Sequence, residues 1–146
     1  MKFIGASELL DTKHVRWFNT GTDKFWVPFT GTTEETSTNP SYADTSNYLL
    51  APYAGQIIYM RFASENATAG NFACEMHLNA SATKTGSTIT TANWDGSNNG
   101  PIAGNYIADW HFKKDDAIFI SVNPTANKQG CNGIIVFKYY ANGFIK

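Results

Sequence analysis

Charged residues are scarce in this sequence. They make up 16% of its 146 residues, well below the roughly one quarter usual for soluble domains. The 11 basic and 12 acidic groups nearly cancel, leaving a formal net charge of -1. Arginine is almost missing, present only as Arg16 and Arg61. A duplex-DNA binder needs a basic stripe to neutralise phosphates, so no nucleic-acid partner is expected. Cysteine is equally thin: Cys74 and Cys131 are too few for a disulfide-built scaffold. One bridge between them and two inert buried thiols both fit, and the thiols are favoured because free cysteine behaves as a small buried hydrophobe. No run of 18 apolar residues occurs, so no membrane-spanning helix is expected. Met1-Lys2-Phe3-Ile4-Gly5 shows no long apolar stretch with a cleavage site, so no secretory signal is expected either.

Groups that could be poised for chemistry are also few. His14, His77 and His111 lack helix-borne zinc spacing, and the cysteines form no CxxC pair. Glu34-Glu35 and Asp115-Asp116 are adjacent in sequence, and neighbours on a strand point to opposite faces, which does not build a glycosidase pair. Asp115-Asp116 suits a turn in which a carboxylate caps backbone N–H groups. Asp95, Asn98 and Asn99 carry oxygens that calcium accepts, but the twelve-residue calcium-loop pattern is missing. No glycine-rich phosphate cradle or serine elbow is present. The expectation is a non-enzyme with no cofactor and no metal.

Threonine, serine, asparagine and glycine stand where the charges would be, and all score poorly in helix interiors. Aromatics reach 14%, with ten Phe, seven Tyr and four Trp, and they favour strands. In no window is a 3.6-residue period sustained. Alternation at period two recurs instead. Phe72, Cys74, Met76 and Leu78 share one face, opposite Ala73, Glu75, His77 and Asn79. Ile118, Ile120 and Val122 share another, as do Trp110 and Phe112 with Tyr106 and Ala108. In 56–62 strict alternation groups Ile58 with Met60 and Phe62, and Ile57 with Tyr59 and Arg61. Ile89 lies in a weak, Thr-rich strand near an edge, after a polar connection over 80–87. Asp95 to Pro101 is the strongest turn signal. Residues 30–47 form a long polar surface loop, a length that usually has a purpose.

Seven or eight short strands separated by turns predict an all-β fold, an antiparallel sandwich of jelly-roll type. Residues 31–146 are assigned to the sandwich and 1–30 to an extended N-terminal arm or attachment segment. Within that segment, 7–10 could equally begin a short helical turn, and Trp17-Phe18 with Phe25-Trp26 flank a turn as short strands. Pro28 marks an edge position or the start of a loop.

The last run, 133–140, is apolar on both sides: Ile135, Phe137 and Tyr139 oppose Ile134, Val136, Lys138 and Tyr140. A second subunit covering one side is the favoured explanation over a loop of the same chain. The expected interface residues are Trp17, Phe18, Phe25, Trp26, Ile135, Phe137 and Tyr139. Tyr42, Tyr53 and Trp94 are candidates for stacking on a sugar ring, although packing of loops onto the sandwich explains each of them as well. The acceptor patterns at Asn66 and Asn79 are read as coincidental.

Three stretches, in order, carry a resemblance. Tyr48-Leu49-Leu50-Ala51-Pro52-Tyr53-Ala54-Gly55-Gln56-Ile57-Ile58 resembles the AP-x-x-G strand entry of small structural proteins of tailed bacteriophages. Phe112-Lys113-Lys114-Asp115-Asp116-Ala117-Ile118-Phe119-Ile120-Ser121-Val122 resembles the F-x-x-G-D element of those proteins and of complement/tumour-necrosis-factor jelly rolls, with Asp115 where glycine is frequent. Gly133-Ile134-Ile135-Val136-Phe137-Lys138-Tyr139-Tyr140 is similar to their closing strand. The resemblance implies a non-enzymatic virion component, assembled in the host cytoplasm and frequently trimeric. Its partners would be itself and capsid or fibre proteins. A capsid decoration or cement protein is the leading expectation. A receptor-binding or carbohydrate-binding fibre domain, contacting a host surface glycan, is the alternative.

Overall fold

The computed structural model describes residues 2–5, 8–17, 24–31, 40–43, 47–64, 72–80, 84–90, 103–124 and 131–140. They form ten strands: β1 (Lys2–Gly5), β2 (Glu8–Trp17), β3 (Phe25–Trp26), β4 (Leu49–Leu50), β5 (Gly55–Ser64), β6 (Phe72–Leu78), β7 (Lys84–Thr90), β8 (Ala103–Phe112), β9 (Ala117–Pro124) and β10 (Cys131–Tyr140).

The pairing is that of one long hairpin. β2 pairs with β10, β3 and β4 with β9, β5 with β8, and β6 with β7, all antiparallel. Rolling that ribbon brings β10 beside β5 and β9 beside β6. The result is two sheets, β1-β2-β10-β5-β8 facing β3-β9-β6-β7, with β4 also on β9. β3 and β4 share the same partner strand, meeting it at Val122–Ser121 and at Ile118–Ala117 respectively. This is the winding of a jelly roll, and the expected all-β antiparallel sandwich is the fold.

Alternation selects the core. Leu9, Val15 and Trp17 of β2, Ile57, Met60 and Phe62 of β5, and Ile135, Phe137 and Tyr139 of β10 face inward from the first sheet. Cys74 and Met76 of β6 with Ile118, Ile120 and Val122 of β9 meet them from the second. The rings interlock: Trp17 lies tilted 5.1 Å from Phe25 and edge to face 5.3 Å from Phe62, and Phe112 lies edge to face 6.0 Å from Phe137. Such pairs add to the burial of their large apolar surfaces.

Three expectations need correction. The described part of residues 1–30 is no extended arm, because β1 and β2 extend one sheet and β3 joins the other. Trp17 and Phe25 therefore belong to opposite sheets and meet across the core. Asp11 and Lys13 hid β2 in the sequence: they stand on its inward parity, where alternation calls for apolar groups, and pair with each other at 2.9 Å. Second, the register in β5 shifts at Ile58, which is skipped where Val136 pairs Tyr59 and Phe137 pairs Ile57. That extra residue puts Ile57, Met60 and Phe62 on one face and leaves Ile58 and Tyr59 half-buried, as a bulge does. Third, the outward face of the second sheet, which alternation leaves to Glu75, His77 and Asn79, carries buried apolar groups as well. Trp26, Ala117 and Phe119 form a smaller buried cluster there, under Tyr48 and Ala80.

Candidate functional site

Parity decides which residues can meet a partner. Trp17, Phe25, Trp26, Ile135, Phe137 and Tyr139, expected at an interface, are all buried within the single chain, none more than 1% exposed. They fill the two clusters and offer no surface. Phe18 lies outside the described residues. The sequence placed two apolar sets on β10 and could not say which was inward; the core takes Ile135, Phe137 and Tyr139 because Met60 and Ile57 flank them in register.

The other parity forms the outward face of the first sheet. There β10 presents Asn132, Ile134, Val136, Lys138 and Tyr140. Cross-strand pairing sets rows: Arg16, Asn132 and Ala63; His14, Ile134 and Arg61; Thr12, Val136 and Tyr59. Ile134, Val136, Tyr59, Ile58 and Leu10 are half-buried, a run of apolar groups with one side toward solvent. At the far end Lys138 bonds Glu8 at 3.0 Å and lies 5.6 Å from the Tyr140 ring centre. The face thus grades from cationic, through apolar, to a neutralised ion pair.

The cationic end carries a concavity of about 320 Å³, lined by His14, Arg61, Asn132 and Ile134, with Gly133 and Ala63 between them. His14, Arg61 and Asn132 are exposed. Gly133 pairs with Phe62, and a side chain added at Gly133 would collide with that ring. These residues were missed in the sequence because β2 was not recognised as a strand, which left His14 and Arg16 without a face.

Residues 51–55, 113–117 and 140 meet at one corner. The Ala51 N–H donates to Asp116 O at 2.9 Å, the Asp115 N–H to Ala51 O at 2.8 Å, and the Tyr140 N–H to Ala54 O at 2.8 Å. Gly55 has no room for a Cβ, which would sit against the Lys138 carbonyl and the Phe112 ring. Asp115 has φ +68°, the left-handed region that favours glycine. Asp116 accepts from the Lys113 N–H and from Asn79 Nδ2, both at 2.7 Å, the turn-capping role expected of it. Asn79 Oδ1 in turn accepts from the Ala117 N–H at 3.0 Å. Gly55, Asn79 and Asp116 each have an architectural reason to be what they are.

On the second sheet, Glu75 Oε2 receives Lys24 Nζ at 3.1 Å and stands 3.2 Å from His77 Nε2. His77 is buried, edge-on to Trp26 at 5.0 Å. It packs the small cluster and is not displayed to solvent, while His111 is exposed. Cys74 is a buried free thiol. Burial pushes it well above the usual thiol range, and the Glu75 carboxylate adds to this, so it stays protonated and unreactive. The Tyr139 phenol is raised by burial first and by Asp11 second.

Of the sugar-stacking candidates, Tyr42 is 49% and Tyr53 39% exposed. Tyr42 stands edge-on to Tyr48 and Phe119, and Tyr53 to Tyr139, so both also anchor their segments. Trp94 lies outside the described residues, as do Asp95, Asn98 and Asn99. Among the described residues, no three His, Cys, Asp or Glu side chains gather as a metal site requires, and no helix is long and apolar enough to cross a membrane. No protein-family model matches this chain, and neither does any curated protein.

Proposed function

We propose that the chain is a non-enzymatic virion structural protein, a capsid decoration or cement protein that associates with itself through the outward face of β10 and β5. The observation that carries this reading is the run Ile134, Val136, Ile58 and Tyr59, half-buried in the middle of a sheet rather than scattered. Central strands of a one-sided sheet ordinarily turn polar groups outward, and a continuous apolar band is a contact surface. The bulge at Ile58 enlarges that band by turning two successive side chains of β5 to the same side. The phage-like stretches support the virion role, and a closed assembly such as a trimer would cover the band once per copy.

The test is the mass of the purified protein in solution, measured by light scattering at micromolar concentration. The expected result is a multiple of 16.1 kDa, returned to the monomer by Val136→Lys. A monomeric wild type that also fails to bind purified capsids would refute the reading. A reconstruction of the assembled particle should show this protein over the capsid lattice, and density confined to distal tail fibres would reject decoration. The alternative, a carbohydrate-binding fibre domain, draws on the exposed rings of Tyr42 and Tyr53. It predicts glycan-array binding that Tyr42→Ala or Tyr53→Ala abolishes.

A further inference from the structure

We infer that the concavity at the cationic end of the first sheet is a binding site for a small oxyanion-bearing ligand, held by Arg61 and His14 with Asn132 beside them. Three independent features converge there. Both arginines of a chain that has only two lie on this face in adjacent rows, Arg16 across from Asn132 and Arg61 across from Ile134. Arg61 and His14 flank Ile134 on either side, so their backbones are roughly 10 Å apart, two strand spacings. A small ligand seated over Ile134 is then within reach of both. Finally, among the described residues, the positions that register places around Arg61 and His14 (Thr12, Tyr59, Ala63, Gly104, Asn132, Ile134 and Val136) are of uncharged residue types.

The chemistry of the lining narrows the ligand. A guanidinium presents a planar fork of donors that matches a carboxylate or phosphate in two parallel hydrogen bonds. Asn132 offers both a donor and an acceptor, the pair a hydroxyl needs. Ile134 supplies an apolar wall. About 320 Å³ is at the small end of ligand pockets. A compact organic acid, an acidic sugar or a phosphorylated group suits this combination, and a neutral sugar does not. All the lining residues belong to one chain, and Ile134 is shared with the contact band proposed above, so ligand binding and self-association compete for it.

The measurement is calorimetric or NMR titration of the whole chain with three probes at matched ionic strength: D-glucuronate, inorganic phosphate and neutral glucose. Saturable binding of glucuronate alone assigns a carboxylate ligand, of phosphate alone a phosphate ligand, and of both a general oxyanion site. Glucose binding as tightly as glucuronate, or no saturable binding of any probe, overturns the inference. Arg61→Gln should weaken binding roughly tenfold or more, since a hydrogen bond to a charged group is lost, and His14→Gln should weaken it less. Both positions are exposed, so unchanged thermal melting is expected of both variants. Lys114→Gln, in the β8–β9 turn, should bind like wild type. Equal affinity in Arg61→Gln and wild type would also overturn the site, whatever the probe.

Discussion

Replacing Gly133 by alanine tests one of the two close approaches between β10 and β5. Gly133 stands opposite Phe62 in register and points its missing side chain inward. A Cβ there would lie 2.7 Å from Phe62 Cε1 and 3.0 Å from the Arg61 carbonyl oxygen, with Phe62 Cδ1 closer still. The ring has little freedom to retreat. Phe62 is fully buried and edge-on to Trp17 at 5.3 Å, which itself abuts Phe25 at 5.1 Å. Overpacking of this kind costs about 1–3 kcal/mol. Alanine recovers about 0.4–1 kcal/mol by restricting the unfolded chain, so the net expectation is a loss of about 1–1.5 kcal/mol. Urea unfolding followed by tryptophan fluorescence should show a lower midpoint at unchanged slope. Phe62→Leu removes the offending ring atoms and alone should cost about 1–2 kcal/mol through lost burial. Combined, the two changes should cost at least 1 kcal/mol less than their sum, a coupling of the size neighbouring residues show. Strict additivity, or a Gly133→Ala protein within about 0.5 kcal/mol of wild type, would refute the steric argument.

Three further outcomes follow from the corner and the core. Asp115→Gly should stabilise the fold by about 0.5–1 kcal/mol, because φ +68° strains any residue with a Cβ; a lower midpoint in the same urea assay would count against it. Asp116→Ala removes the acceptor for the Lys113 N–H and for Asn79 Nδ2 and should cost about 1–2 kcal/mol, and Asp116→Asn should recover only part of it. The raised Cys74 thiol fixes the sign of an alkaline effect. The unfolded thiol ionises near pH 8.5 and the folded one far above, so its contribution to stability is complete below that pH and lost as pH rises. Wild type should therefore lose stability between pH 8.5 and 10 faster than Cys74→Ala, approaching a difference of about 1.4 kcal/mol per pH unit. Parallel slopes would contradict a buried, protonated Cys74.

How far the fold could be read from the sequence depended on how cleanly each strand kept its parity. The inward faces of β6 and β9 were legible: Cys74, Met76, Ile118, Ile120 and Val122 are buried together as alternation requires. β5 was legible as a strand but not in phase, because a one-residue bulge at Ile58 is invisible to a period of two and turns Ile57 inward. β2 was not legible, since Asp11 and Lys13 satisfy each other on the inward side and imitate a polar segment. Both parities of β10 are apolar, so hydrophobicity alone could not separate core from contact surface, and the core-facing set was chosen as the interface. The candidate ligand site failed for a topological reason. It combines residues from β2, β5 and β10, and only the rolled hairpin makes those three strands neighbours.

That same closure governs how the protein comes into being on the ribosome. β2 is made early, yet its ladder partner β10 is the last of the ten strands to emerge. At translation speeds of about 5–20 residues per second, roughly 6–25 seconds separate the synthesis of the two. Throughout that interval the nascent chain holds Leu9, Val15 and Trp17 without the sheet that will shelter them. Copies translated side by side on one messenger are then each other's nearest source of a matching edge. Expression yield should therefore respond to translation rate and to holding chaperones more than to the stability of the finished sandwich.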